Sequence, residues 1–236
     1  ARIGFTRAVH HQVVRAARIA RGGHAELASV VAAKQVATEY AGIHHGCAGK
    51  TEMWHILAAE PGARIAAGFR QPIDRVRARA AALSGEIVEL LEWHAAAAGD
   101  TFFIPAGTVH AIGAGLRICE IQQRSDITYR FYDFGRGREL HMDSALAVSR
   151  LGPYAPRREA TVSCQHFVTE PLDVAGTVAL PPATDPSLLI VIAGEGRLNG
   201  ETARAGDVWH LAVNSQPLEI TGDIRLLRTS LPGSQS

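Results

Sequence analysis

The chain has 236 residues, 47% of them hydrophobic and 20% charged, with a formal net charge of +1. That is apolar material enough for one large or two small cores, and the balanced charge removes the electrostatic reason to expect a nucleic-acid partner. No stretch approaches the roughly 18 uncharged apolar residues of a membrane span, so no membrane partner is expected. Cys47, Cys119 and Cys164 are an odd set without a CxxC pair, which suits reduced thiols in a cytoplasmic protein.

The start, ARIGFTRAVHHQVVRAARIARGGHAEL, is rich in arginine and alanine and nearly free of acid. That composition suits a transit peptide, but serine and a cleavage context are missing. Residues 9–21 read as a short basic helix, and residues 25–41 fit strand or helix equally. From Lys50 the pattern sharpens. Residues 51–58 are a strand, Pro61-Gly62 is a turn, and 63–69 are a second strand. Residues 73–92 read as helical with an interruption near Ser84-Gly85. Asp74 stands in the first turn, and Ile87, Leu90 and Leu91 recur at helical spacing. Segments 101–104, 108–112, 116–123 and 127–133 follow as strands between glycine-rich turns.

Residues 134–160 are rich in arginine and proline and read as a connector with a short helix over 142–150. β character resumes at 161–169, 188–193, 208–213 and 218–228, and the turn-rich 194–207 suits the hairpin end of a small barrel. A weak internal repeat relates Gly99-Asp100 to Gly206-Asp207. In the second copy, GDVWHLAVNSQ, His210 falls inside the strand instead of after a bend. The second module is therefore expected to keep the frame without the site.

The chemistry concentrates in GDTFFIPAGTVH, residues 99–110. Gly99-Asp100 makes a turn, 101–104 is a short strand, and Pro105-Ala106-Gly107 breaks the ladder, because proline lacks an N–H and glycine tolerates positive φ. His110 arrives after a rigid bend, which is a good way to hold an imidazole at the mouth of a barrel. The spacing G-x5-P-x-G-x2-H matches a motif of the cupin superfamily, small antiparallel barrels that hold a divalent metal with histidine and carboxylate ligands. A mixed nitrogen and oxygen set suits zinc or another first-row ion. On the 51–58 strand Glu52, Trp54 and Ile56 share one face and His55 the other. A glutamate on an apolar face is costly unless it is metal-bound or paired in a buried salt bridge, for instance with an arginine. In RICEIQQRSDITYRFYDFGR, residues 117–136, Glu120 and Gln122 share a face, as do Thr128, Arg130 and Tyr132 on the next strand. Glu120 could move a proton or hold Arg130, and Arg130 could fix an anion or stabilise oxyanion charge, from adjacent strands near the metal.

Three stretches in order, GKTEMWHILAAEPGA (49–63), GDTFFIPAGTVHAIGAG (99–115) and EIQQRSDITYRFYDFGR (120–136), resemble type I mannose-6-phosphate isomerase of the short bacterial form. The resemblance is close over residues 49–150 and looser to the end. It implies a mainly β fold of two jelly-roll-like cupin barrels with a helical insertion in the first. The expected division is a metal-carrying module over 1–140, divergent in 1–49, then a connector over 141–160 and a second module over 161–236. The implied activity interconverts mannose 6-phosphate and fructose 6-phosphate through an enediol, with one zinc ion and a sugar phosphate as the small-molecule partner. Carried over by position, Glu52 and His110 are metal ligands, Arg130 is the active-site arginine, and Lys50 and Glu120 line the site. The family draws two more ligands from a Gln-Val-His-Pro strand. Here the echo is Lys34-Gln35-Val36-Ala37, with alanine where histidine is expected, and His44 or His45 is the available substitute. That departure motivates the alternative of a non-catalytic cupin that binds a sugar phosphate.

Overall fold

Strands far outnumber helices among the described residues, and the fold is mainly β. The structure, a computed structural model, describes residues 14–21, 31–33, 49–123, 125 and 127–232, the first two stretches by their backbone. The helix expected over residues 9–21 does not form in the part the structure describes. The described part of that segment is a strand, β1 (Val14–Arg21), in which sheet pairing outweighs the intrinsic helix preference of alanine and arginine. Of residues 25–41, the described part is the short strand β2 (Val31–Ala33). The chain divides into two units, Ala20–Arg158 and Ala1–Ile19 with Glu159–Ser236.

In the first unit β3 (Glu52–Ala59) lies antiparallel between β6 (Thr101–Ile104) and β8 (Leu116–Gln123). A second sheet runs in the order β5 (Leu91–Ala95), β4 (Arg64–Phe69), β7 (His110–Ile112), β2, β9 (Tyr129–Tyr132). Two cores follow from side-chain alternation. Ile65 and Ala67 of β4 pack with Trp54, Ile56, Phe102 and Ile118 of the first sheet. Ala66, between them in sequence, faces the other way, together with Val109, Ala111, Tyr129 and Phe131. That opposite face is covered by α1 (Arg75–Ser84) and α3 (Met142–Val148), through Ala78, Ala81, Ala82, Ala145 and Leu146.

The Asp74 side chain accepts from the Arg77 N–H at 2.7 Å and caps α1, and Gly85 ends it in the left-handed region. The helical reading of 73–92 runs too far. A one-turn helix α2 (Ile87–Leu90) follows Gly85, and from Leu91 the chain is β5, because Leu91 and Trp93 enter the ladder with β4. Helical spacing cannot separate these cases when a strand begins in the same apolar run.

The second unit is a sheet in the order β10 (Val162–Ser163), β11 (Val168–Leu180), β15 (Leu218–Ser230), β12 (Ser187–Leu198), β13 (Glu201–Arg204), with β14 (Val208–Leu211) also on β12. Val174, Leu189, Val191, Ile220 and Leu226 form its core. Sequence pattern ends the strand near 169, whereas β11 continues to Leu180, paired throughout with β15. Pro171 hides it. β10 pairs only with Val168 and Thr169, and beyond them no described strand pairs with that edge of β11, where a residue without an N–H does no harm.

Candidate active site

Pro105, Ala106 and Gly107 form the bend that aims His110. The Thr108 N–H donates to the Pro105 carbonyl at 3.1 Å, and the Arg150 N–H donates to the Gly107 carbonyl at 2.8 Å. Gly107 has φ +84°, and a Cβ there would stand 2.9 Å from the Val148 carbonyl oxygen at the end of α3. Glycine is therefore required on two counts, conformation and space. Past the bend Val109 and Ala111 point into the helix-covered core, so His110 points the opposite way, between the sheets.

There it meets Glu52. His110 Nε2 and Glu52 Oε1 are 3.2 Å apart, and both side chains are buried. The other ring nitrogen, Nδ1, lies 2.8 Å from the Thr108 carbonyl oxygen. A carbonyl only accepts, so Nδ1 carries a proton, and in the neutral ring the Nε2 lone pair is the one presented to the site. The Trp54 ring stands edge-on to the imidazole, with centroids 5.1 Å apart and an interplanar angle of 79°. The Ala106 N–H reaches Thr51 Oγ1 at 3.4 Å, which ties the His110 bend to the start of β3.

Lys50 joins the carboxylates. Its ammonium pairs with Glu52 Oε2 and, at 2.9 Å, with Glu120 Oε1. Burial lowers the Lys50 pKa, but Glu52 and Glu120 outweigh it and the net shift is upward, so Lys50 is a cation at neutral pH and not a base. The buried partner of Glu52 is thus this lysine, not an arginine. Glu120 sits opposite Trp54, and Gln122 opposite Glu52, on the same face of β8. The 50–52 segment is further held by the Thr51 N–H donating to Gln123 Oε1 at 2.8 Å. His55, expected to point out, is half-buried and hydrogen-bonds Thr101 Oγ1 through Nδ1 at 3.1 Å.

Arg130 corrects one expectation. Glu120 and Arg130 do not occupy adjacent strands: β8 and β9 belong to different sheets, and Glu120 is paired with Lys50. Thr128 precedes β9 instead of belonging to it. The register nevertheless keeps Arg130 at the site. Ala32 of β2 pairs with His110 on one side and Arg130 on the other. His110 and Arg130 therefore share a face, two strands and about 10 Å apart. Arg130 Nε is buried without a hydrogen-bond partner among the described residues. Lys50, Glu52, Glu120 and His110 are thus brought into contact, with Arg130 on the same face as His110. His44, His45 and Gln35 lie outside the described residues.

The geometry suits the metal that the resemblance implies. Two donors bound at about 2.05 Å in a tetrahedral set stand about 3.3 Å apart, and the 3.2 Å between His110 Nε2 and Glu52 Oε1 fits that edge. The fixed Nδ1–H of His110 is the outer hydrogen bond that a ligating imidazole makes. Among the described residues no group of three or more His, Cys, Asp or Glu side chains gathers at one point. The donor pair fits a divalent ion, and among the described residues no third side chain of those types joins it.

The chain is 34% identical over 209 residues to mannose-6-phosphate isomerase of Streptococcus mutans, covering 80% of this chain and 66% of the relative. The chain belongs to the mannose-6-phosphate isomerase family. It is likewise 34% identical over 184 residues to the mannose-6-phosphate isomerase ManA of Bacillus subtilis, covering 68% of this chain and 56% of that protein. It thus spans a little over half to about two thirds of the curated isomerases it matches. The crystal structure of the Bacillus subtilis mannose 6-phosphate isomerase superposes with a TM-score of 0.74 at 27% identity, over 86% of this chain and 71% of that one. No family model matches the chain.

Sequence pattern alone misses the hydrogen bonds from Gln122 Nε2 to the Gln123 and Ser125 carbonyl oxygens, the edge-on Trp54 and the Thr51–Gln123 tie. The two glutamines of EIQQ are the available signal. On the far side of β8, burial and then the nearby Glu120 push the Cys119 thiol up to about 12. At pH 8 in native protein, Cys119 is expected to resist iodoacetamide while the half-buried Cys164 is alkylated; both are expected to react in urea. Peptide mass mapping before and after unfolding reads the difference, and equal native labelling would refute it.

Proposed function

We propose that the chain is a metal-dependent aldose–ketose isomerase that interconverts mannose 6-phosphate and fructose 6-phosphate through an enediol. The observation that carries the reading is the buried meeting of Glu52 and His110, with Lys50 bridging Glu52 to Glu120. The names of the relatives supply the substrate. Glu52 and His110 would hold the ion, zinc by the nature of the donors, with His44 as a further candidate. When bound, such an ion supplies Lewis-acid polarisation of a sugar oxygen.

The rest of the chemistry belongs to the chain. Isomerisation removes the proton on C2 of the open-chain aldose and returns one to C1, while a hydroxyl proton passes from O2 to O1. Glu120 is the carboxylate placed to take and return the carbon-bound proton, since Lys50 beside it stays protonated. The Lys50 cation is the counter-charge to both glutamates and offers a donor to sugar oxygen or phosphate. Arg130 offsets the negative charge that develops on the enediol oxygens. The chemistry then lies wholly in the unit Ala20–Arg158, and a module over 161–236, whose His210 lies within β14, is a second barrel without a site.

The test is a coupled mannose 6-phosphate to fructose 6-phosphate assay on purified, chelator-treated protein, with and without added zinc. Turnover restored by zinc is expected. No turnover in either condition, with sugar phosphate still bound by calorimetry, would replace the proposal with a non-catalytic binding protein.

A further inference from the structure

We infer that Gln122 is a donor to the metal ion through its side-chain oxygen; the inference rests on the metal-dependent reading above. Four observations carry it. Gln122 is the direct cross-strand neighbour of Glu52 and shares its face, which sets the two Cβ atoms about 4.5–5.5 Å apart. It is buried, with 8% of its surface exposed. Its Nε2 lies 3.0 Å from the Ser125 carbonyl oxygen and 3.3 Å from the Gln123 carbonyl oxygen. Both partners are acceptors, so the amide has one admissible orientation: the NH₂ turns to the 123–125 segment, and Oε1 turns away from it. Finally, among the described residues His110 and Glu52 are two donors where a protein zinc site ordinarily has three or four. The backbone position beside His110 on β2 is Ala32, which has no side-chain donor atom to give.

The pieces are complementary. A side-chain amide oxygen turned away from the carbonyls that hold its NH₂ is a neutral, hard donor suited to a divalent cation. Its NH₂ is clamped by two backbone carbonyls, the kind of outer hydrogen bonding that holds a ligand in one orientation. Glu52, His110 and Gln122 together make an O, N, O set from β3, β7 and β8. The set spans both sheets, so ion binding also cross-links them.

Zinc titration by calorimetry and cobalt(II) absorption spectra, on chelator-treated protein, test this without reference to turnover. Gln122→Met keeps the length and removes both polar atoms. Gln122→Glu keeps an oxygen donor and removes the NH₂ clamp. We expect Gln122→Met to weaken zinc binding about 100-fold or more, at the upper limit of what losing an outer-shell partner does, and to alter the cobalt visible bands. Gln122→Glu is expected to stay within about tenfold of wild type. Far-UV circular dichroism and metal-free melting establish that each variant folds. Wild-type affinity in a folded Gln122→Met overturns the assignment to Gln122 alone and leaves the metal reading standing. Equal losses in both folded variants also overturn it, because they assign the effect to the clamp. A wild-type protein that takes up no zinc overturns the metal reading and this inference with it.

Discussion

Glu52→Gln is expected to abolish isomerase turnover and to lower the unfolding free energy by about 3 kcal/mol. Glu52 is fully buried and serves two neighbours, the Lys50 ammonium through Oε2 and His110 Nε2 through Oε1. Glutamine keeps the shape and removes the charge. Lys50 then faces Glu120 alone, and a buried cation loses half of its counter-charge. Breaking one side of a buried pair costs about 3–5 kcal/mol, and the surviving Glu120 contact puts this case at the lower end. Chemistry fails for a separate reason, since the anionic donor is gone. The double variant Lys50→Met with Glu52→Gln separates the two effects: it removes the stranded cation and is expected to regain much of the stability and none of the turnover. Urea unfolding and the coupled assay read both quantities. A Glu52→Gln protein with wild-type turnover would remove Glu52 from the site.

Arg130→Lys is expected to lower kcat by about 10²–10³-fold with little change in stability, the usual consequence of removing one donor aimed at developing charge. The charge survives the substitution, but the planar fork of donors does not, and lysine cannot reproduce two parallel hydrogen bonds to one oxyanion. Strand register makes the prediction specific. Arg130 and His110 flank Ala32 on one face of one sheet, and Arg130 Nε is buried without a hydrogen-bond partner among the described residues. A guanidinium held that way by the fold has a role to lose. A fall in kcat at constant KM is the expected signature; a rise in KM at constant kcat would reassign Arg130 to ground-state phosphate binding, and unchanged kinetics would remove it from the site altogether.

Much of the site is legible in the amino-acid sequence. GDTFFIPAGTVH marks its bend by chemistry that allows few substitutes, and the structure shows why at Gly107, where both φ and the Val148 carbonyl exclude a side chain. The inward face of Glu52, Trp54 and Ile56 follows from a period of two, and all three are buried. The limits are equally specific. Basic, alanine-rich residues 14–21 read as helix, because propensity is local while pairing is not. The strand from Val168 to Leu180 reads as cut short at a proline whose harmlessness depends on how far β10 extends.

The residue types and their spacing alone determined which side chains could do chemistry: a histidine after a rigid bend, a glutamate on an apolar strand and an arginine downstream, while the lysine two residues before the glutamate came only from the family resemblance. Alternation also determined which residues of one strand share a face, as with Glu52, Trp54 and Ile56, since that requires only the geometry of one strand. Which of them meet was decided by tertiary structure. Glu120 and Arg130, ten residues apart, look like partners along the chain, yet they fall in different sheets, and Glu120 instead pairs with Lys50, seventy residues away. The physical reason is that strand order and register are set by hydrogen bonds between distant segments and by burial of both sheet faces at once. No single strand's pattern contains that information.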